Sequence, residues 1–235
     1  MVQMVPLLHR KTDRVIDMRN VYKLVYIIIG FMLMLGVASA ATLNVPTQYK
    51  TIQKAVNAAH DGDTINVASG TYKEKVMIAD KSLSFVGQKG KYPTVYGFEM
   101  RWTSDKTGAA NVNGFRITKY GVAGGLVGAN TIRNNYFTNC GVSGGGPTWS
   151  NNVIMNNQFS SGGILIDDRS DGNVIQGNTI KYAKIGLHLW GSASCDVITQ
   201  NTFQSCQIGV QVQSIPPVLL GNKYIGNKIN IKIVP

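Results

Sequence analysis

The feature that most constrains this chain is an internal repeat in its second half. The segment Asn130-Thr-Ile-Arg-Asn-Asn-Tyr-Phe137 recurs as Asn152-Val-Ile-Met-Asn-Asn-Gln-Phe159, again at Asn173–Ile180 and Asp196–Phe203, and more loosely at Pro217–Tyr224. One asparagine stands two residues before a large apolar residue each time. The asparagines are Asn113, Asn135, Asn157, Asn178, Asn201 and Asn222, and their apolar partners are Phe115, Phe137, Phe159, Ile180, Phe203 and Tyr224. The intervals are 22, 22, 21, 23 and 21. Two further columns follow: Tyr120, Val142, Ile164, Ile185, Ile208 and Ile229, then Val122, Gly144, Ile166, Leu187, Val210 and Ile231.

A period near 22 signals stacked structural units. Leucine-rich repeats have a similar period, but their leucine-dense consensus is absent. Here apolar residues alternate at i and i+2, the pattern of strands whose side chains point in and out. No ten-residue helical pattern separates the strands, which excludes βαβ units. What remains is an all-β, single-stranded parallel β-helix, a solenoid in which each short strand pairs with its equivalent one turn later. Three short parallel sheets are expected, with the six asparagines in one stack. Asparagine suits such corners because it tolerates the left-handed conformation and can bond adjacent coils.

The start of the domain reads differently. Thr51–His60 places Ile52, Ala55, Val56 and Ala59 on one helical face, and Gly62 follows as a stop. Thr64–Val67, Lys75–Ile78 and Ser82–Val86 read as strands. A helix there would cap the exposed end of the first coil, which terminal repeats require. The β-helix domain is therefore assigned to residues 44–235.

Residues 1–40 lie outside it. Leu24–Ala41 is an 18-residue uncharged run preceded by Arg14, Arg19 and Lys23, and Ala38-Ser39-Ala40 has the small-x-small form of a signal-peptidase site. Export with cleavage after Ala40 is the expectation. A retained anchor is the alternative, since 18 apolar residues can just span a bilayer. Met18 would be a more ordinary start, making residues 1–17 an upstream misread. A secreted or cell-surface location follows, with membrane contact only through this segment.

Net charge is +11 for the whole chain. Residues 1–40 hold five basic and two acidic residues, so 18 basic and 10 acidic remain, or +8. The lysines are scattered rather than blocked, so no nucleic-acid partner is read from them. A basic surface suits acidic polysaccharide. Cys140, Cys195 and Cys206 are three, so at least one is unpaired. Cys140 and Cys206 share a coil position three coils apart, about 14 Å, too far for a disulfide.

The string at 51–76, T-I-Q-K-A-V-N-A-A-H-D-G-D-T-I-N-V-A-S-G-T-Y-K-E-K-V, followed by K-S-L-S-F-V-G at 81–87, resembles the opening of the pectin-lyase-like superfamily. Within it the chain is most similar to NosD-like right-handed β-helix repeat proteins of microbial cell surfaces. The resemblance implies a right-handed helix and a carbohydrate-related role, without implying catalysis. Beyond residue 40 the chain has only His60 and His188 and three methionines, so no copper cluster is expected.

Counting a fixed offset from each large apolar residue gives an outward column of Ala123, Gly145, Asp167, His188, Gln211 and Lys232. A second column is Gly125, Pro147, Arg169, Trp190, Gln213 and Val234. On this count Asp167 and His188 are neighbours about 4.8 Å apart, flanked by Arg169 and Trp190. An exposed indole beside Asp, His, Arg and Gln suits a sugar ring and its hydroxyls. Asp167, Arg169, His188, Trp190, Gln211 and Gln213 are the candidate glycan-binding residues. Asp167, His188 and Arg169 are the candidates for any acid–base chemistry. Asp167, Asp168 and Asp171 form a thin Ca²⁺ candidate, since Ca²⁺ takes six to eight oxygens; no other cofactor is expected.

Asp167-Asp168 and His188 echo polygalacturonases, but the aspartate of the preceding coil falls near Gly145-Gly146 and the Lys of the Arg-x-Lys motif is at best Lys232. The Gly-x-Val-Asp-Phe element of pectin methylesterases is missing. The preferred reading is a non-catalytic protein that binds or scaffolds wall polysaccharide. The alternatives are a small lyase or hydrolase acting on acidic polysaccharide, and a structural protein associating through its ends. The glycine-rich stretch 141–147 is expected to bulge from its coil.

Overall fold

The computed structural model describes residues 39–235 apart from 102–107, 126–127, 146–149, 168–171, 192–195 and 214–216. One compact unit runs from Ala40 to Pro235. Nine strands form its first sheet in chain order: Thr42–Val45, Thr64–Val67, Leu83–Gly87, Ala110–Asn113, Thr131–Arg133, Val153–Met155, Val174–Gln176, Val197–Thr199 and Val218–Leu220. They pair in parallel, each with its equivalent one turn on.

The second sheet turns a corner. Its early strands Thr71–Ala79, Thr94–Arg101 and Arg116–Gly125 are long, and their pairing shifts register between Tyr72 and Lys75 and between Val95 and Gly97. Later turns divide into two runs. One holds Tyr136–Thr138, Gln158–Ser160, Thr179–Lys181, Thr202–Gln204 and Lys223–Ile225. The other holds Val142–Gly145, Ile164–Asp167, Ile185–Leu189, Ile208–Gln213 and Ile229–Val234. Each of these turns thus carries three strand runs, hydrogen-bonded into two sheets.

The inward columns fill the interior. Ile65, Phe85, Val112, Ile132, Ile154, Ile175 and Ile198 succeed one another up the first sheet, all buried. Phe137 and Phe159 stack face to face at 4.5 Å on the second. Burying one such side chain is worth about 1.5–3 kcal/mol, and the repeat multiplies that gain coil by coil.

Asparagines hold the corners, buried in every coil but the last. Asn135, Asn157, Asn178, Asn201 and Asn222 form one ladder. In each step the side-chain oxygen accepts both the backbone N–H and the Nδ2 of the asparagine one coil earlier. Each Nδ2 also donates to a first-sheet carbonyl of the preceding coil. A second ladder runs through Asn130, Asn152, Asn173 and Asp196 at the entry to the first sheet.

Three expectations need correction. Asn113 is outside the ladder: it pairs in register with Arg133, and Phe115 donates its backbone N–H to Asn135 in its place. Tyr120 points outward and is 46% exposed, because Val122 is the residue in register with Val142. The glycine-rich stretch does not bulge over its described part, since Val142–Gly145 pairs without interruption on both sides.

Helix α1, Ile52–Ala58, forms where its pattern predicts. Thr51 caps it by accepting from Lys54 N, and Ile52, Ala55 and Val56 are buried. The next coil fixes both ends. Glu74 accepts from Ile52 N and Gln53 N, while Lys81 Nζ donates to the carbonyls of Val56, Asn57 and Ala59. An acid at the N-terminus and a base at the C-terminus both complement the unsatisfied groups of a helix.

Candidate functional site

The outer face of the second run carries two columns. The first is Ser143, Leu165, His188, Gln211 and Lys232. The second begins with Gly145 and Asp167; Trp190 and Gln213 follow the paired residues Leu189 and Val212. Asp167 and His188 therefore lie in different columns, contrary to the fixed-offset count. Phe159 pairs with Ile180 and Ile164 with Leu187, so a five-residue step becomes seven. Two residues are inserted at the corner. An even insertion keeps every side chain on its own face and moves its neighbour by one outward position.

His188 meets Gln211 instead, with 3.0 Å between His188 Nε2 and Gln211 Nε2. The amide nitrogen can only donate, so the ring accepts and carries its proton on Nδ1. Burial pushes the imidazole below its ordinary range, against the opposing charge of Asp167. Trp190 stands edge-on to His188 at 5.2 Å and is 50% exposed. Gln213 Oε1 accepts from Gly191 N at 3.4 Å. Arg169, Asp168 and Asp171 lie outside the described residues, as does Cys195.

Below His188 runs an open furrow of about 380 Å³, ending at Lys119 and Tyr120. Its floor includes Gly141 and Gly163, and the glycine column continues through Gly97, Gly121, Gly186 and Gly209. A Cβ at Gly141 would collide with the Gly163 carbonyl oxygen, and one at Gly121 with that of Gly141. Only glycine fits at these two positions, and Gly141 and Gly163 leave a short part-exposed stretch of backbone in the furrow beside Ser143 and Leu165. Three coil steps separate Lys119 from His188, about 14 Å along the stack.

The far end is basic and aromatic. Lys119 Nζ lies 5.0 Å from the Tyr120 ring centre and 5.3 Å from that of Tyr96. Lys75 lies 5.4 Å from Tyr120 and pairs with Glu99 at 2.6 Å, which also holds Arg101. The two cations keep the Glu99 carboxyl below the usual range. The fixed-offset count missed this end because it placed Tyr120 inside. The clue was present: glycine precedes Val122, Val142, Ile164, Leu187 and Val210 alike, and aligning on glycine gives the true register.

Among the described residues no three His, Cys, Asp or Glu side chains come together as a metal site. His60 is exposed on the α1 side, while His188 is engaged by Gln211. Cys140 and Cys206 are free thiols that meet carbonyls of Ile117 and Ile180, and burial pushes both above their ordinary range. This donor set does not fit copper, which favours clustered thiolate, thioether and imidazole groups.

Asparagine ladders, parallel coils, an end-capping helix and a shallow furrow along one outer face define a parallel β-helix of the pectin-lyase-like kind. The family described as "Periplasmic copper-binding protein (NosD)" matches residues 56–235, and the chain belongs to it. The curated proteins hold no match to the chain.

Proposed function

We propose that this chain is an extracytoplasmic β-helix protein that holds a carbohydrate chain along the furrow between Tyr120 and Trp190, without transforming it. Its family is described as periplasmic, which supports a working place outside the cytoplasm. The observation that carries the binding assignment is the furrow itself. Gly141 and Gly163 in its floor admit a flat ring close to the backbone, Tyr120 lines one end beside Lys119, and His188 lines the other with the half-exposed Trp190 edge-on to it. Half-exposed aromatic faces with polar neighbours are the usual means of gripping sugar rings. The Lys119 end favours an acidic chain.

Two of the described polar groups are already engaged, which favours binding over catalysis. Glu99 is neutralised by Lys75 and Arg101, and the His188 lone pair is used by Gln211. The test is a panel of acidic and neutral polysaccharides offered to the processed protein, scored for retention and for release of reducing or unsaturated ends. Retention without release is expected. Trp190→Ala should keep the fold and weaken binding by about 1–3 kcal/mol. Unchanged binding would remove Trp190 from the site. Product release abolished by His188→Ala would replace the binding reading with an enzymatic one.

A further inference from the structure

The first strand of the first sheet, Thr42–Val45, is entered through Ala41. Its backbone nitrogen donates to Asp63 Oδ1 at 2.7 Å, and its carbonyl accepts from Thr64 N at 2.8 Å. Asp63 is 4% exposed, and its other oxygen accepts from His60 N at 2.8 Å. The nitrogen held by this carboxylate follows Ala38-Ser39-Ala40, the small-x-small sequence at the end of the apolar run. Ala40 and Ala41 are both exposed.

We propose that the Ala40–Ala41 bond is a processing site, and that its hydrolysis turns the Ala41 nitrogen into an α-ammonium paired with Asp63, locking the first coil of the exported protein. An export endopeptidase that accepts small residues supplies the catalysis, and water supplies the atoms. The C–N bond breaks, Ala40 leaves with a carboxylate, and the freed amine takes up a proton.

The repeat explains why the geometry is already in place. The same coil position recurs later, where Ala110 N, Asn130 N and Asn152 N each donate to an asparagine oxygen one coil on. Asparagine suffices where the donor is an amide. Asp63 puts a full charge at this position. Asp196 is also an acid here, but it receives the backbone N–H and the side-chain amide of Asn173, whereas Ala41 has no side-chain donor. Asp63 already serves two backbone amides, Ala41 N and His60 N, and its charge gains further when the Ala41 nitrogen becomes cationic, because a bond between two ionised groups adds ion pairing to the hydrogen bond.

Three other ionisable groups face the pair. His60 Nδ1 lies 3.9 Å from Asp63, Lys81 adds a weaker attraction, and Asp61 is engaged by Ser82 N. Backbone donors from His60 and Ala41 hold the Asp63 carboxyl below its usual range. The pair raises the amine above the roughly 7.7–8.0 of a free terminus. Its stabilisation is therefore complete between about pH 4 and pH 8, is lost below as Asp63 protonates, and is lost above as the amine deprotonates.

The test begins with the full chain exported from cells. N-terminal sequencing should start at Ala41. The processed protein is then melted before and after selective acetylation of its α-amine, alongside Asp63→Asn. Acetylation should lower the melting temperature by about 2–4 °C in the parent and leave Asp63→Asn unchanged. Melts of the parent alone provide a second reading: the free-amine advantage should vanish near pH 10. A mature terminus elsewhere, an intact apolar run in the membrane fraction, no effect of acetylation, or a pH-independent effect would each overturn the proposal.

Discussion

Replacing Asn178 by alanine removes a rung from the middle of the ladder. The side chain accepts from Asn157 N and Asn157 Nδ2, both at 3.0 Å, and donates to the Ile154 carbonyl at 2.8 Å and to Asn201 Oδ1 at 3.0 Å. Four bonds at about 1 kcal/mol each suggest a loss near 4 kcal/mol. The buried Asn157 N–H is orphaned where water does not reach, so the cost should not fall below about 3 kcal/mol. Asn222 is the contrast. It makes three such bonds in a half-exposed turn, so water replaces them and Asn222→Ala should cost about 1 kcal/mol. Asn178→Asp separates bonding from shape: it can still accept from Asn157, but it sets a carboxylate oxygen against the Ile154 carbonyl and Asn201 Oδ1. It should cost at least as much as alanine. Urea denaturation of the three variants measures these differences. Equal costs at 178 and 222, or a near-neutral Asn178→Asp, would refute the ladder as the element that joins the coils.

Two further outcomes follow from named contacts. Lys81→Ala should release three α1 carbonyls and cost about 1 kcal/mol, with amide exchange accelerated in Ile52–Ala58 and unchanged beyond residue 110. His188 should titrate below about 6.5. Because its folded pKa is depressed, the neutral ring contributes stability above that value and loses it as pH falls, when protonation breaks the Gln211 bond; an NMR midpoint above 6.5 would contradict the burial argument.

The fold was legible because each coil repeats the same decisions. Alternating apolar residues and a fixed asparagine identify the strands and one corner without any tertiary knowledge. The lateral neighbours were less legible. Register depends on the length of each corner, and the insertion after Ile180 leaves both the alternation and the apolar spacing looking intact. Asn113 misled for a related reason: Gly114-Phe115 imitates the Asn-x-Phe pattern although Phe115 itself occupies the ladder position. The Lys119–Tyr120 end was hidden because a tyrosine two residues before Val122 reads equally well as core. Glycine, kept in place by close backbone approach, was the better alignment mark.

The most direct test of the binding furrow is a titration of the processed, isotope-labelled protein with an acidic oligosaccharide, followed by amide and side-chain NMR shifts. The account predicts a continuous track of perturbed signals from Lys119 and Tyr120, across Gly141 and Gly163, to His188 and Trp190, with the first-sheet face around Thr131, Val153 and Val174 silent. Shifts confined to that face, or no shifts at oligosaccharide concentrations that saturate retention of the parent polymer, would contradict it.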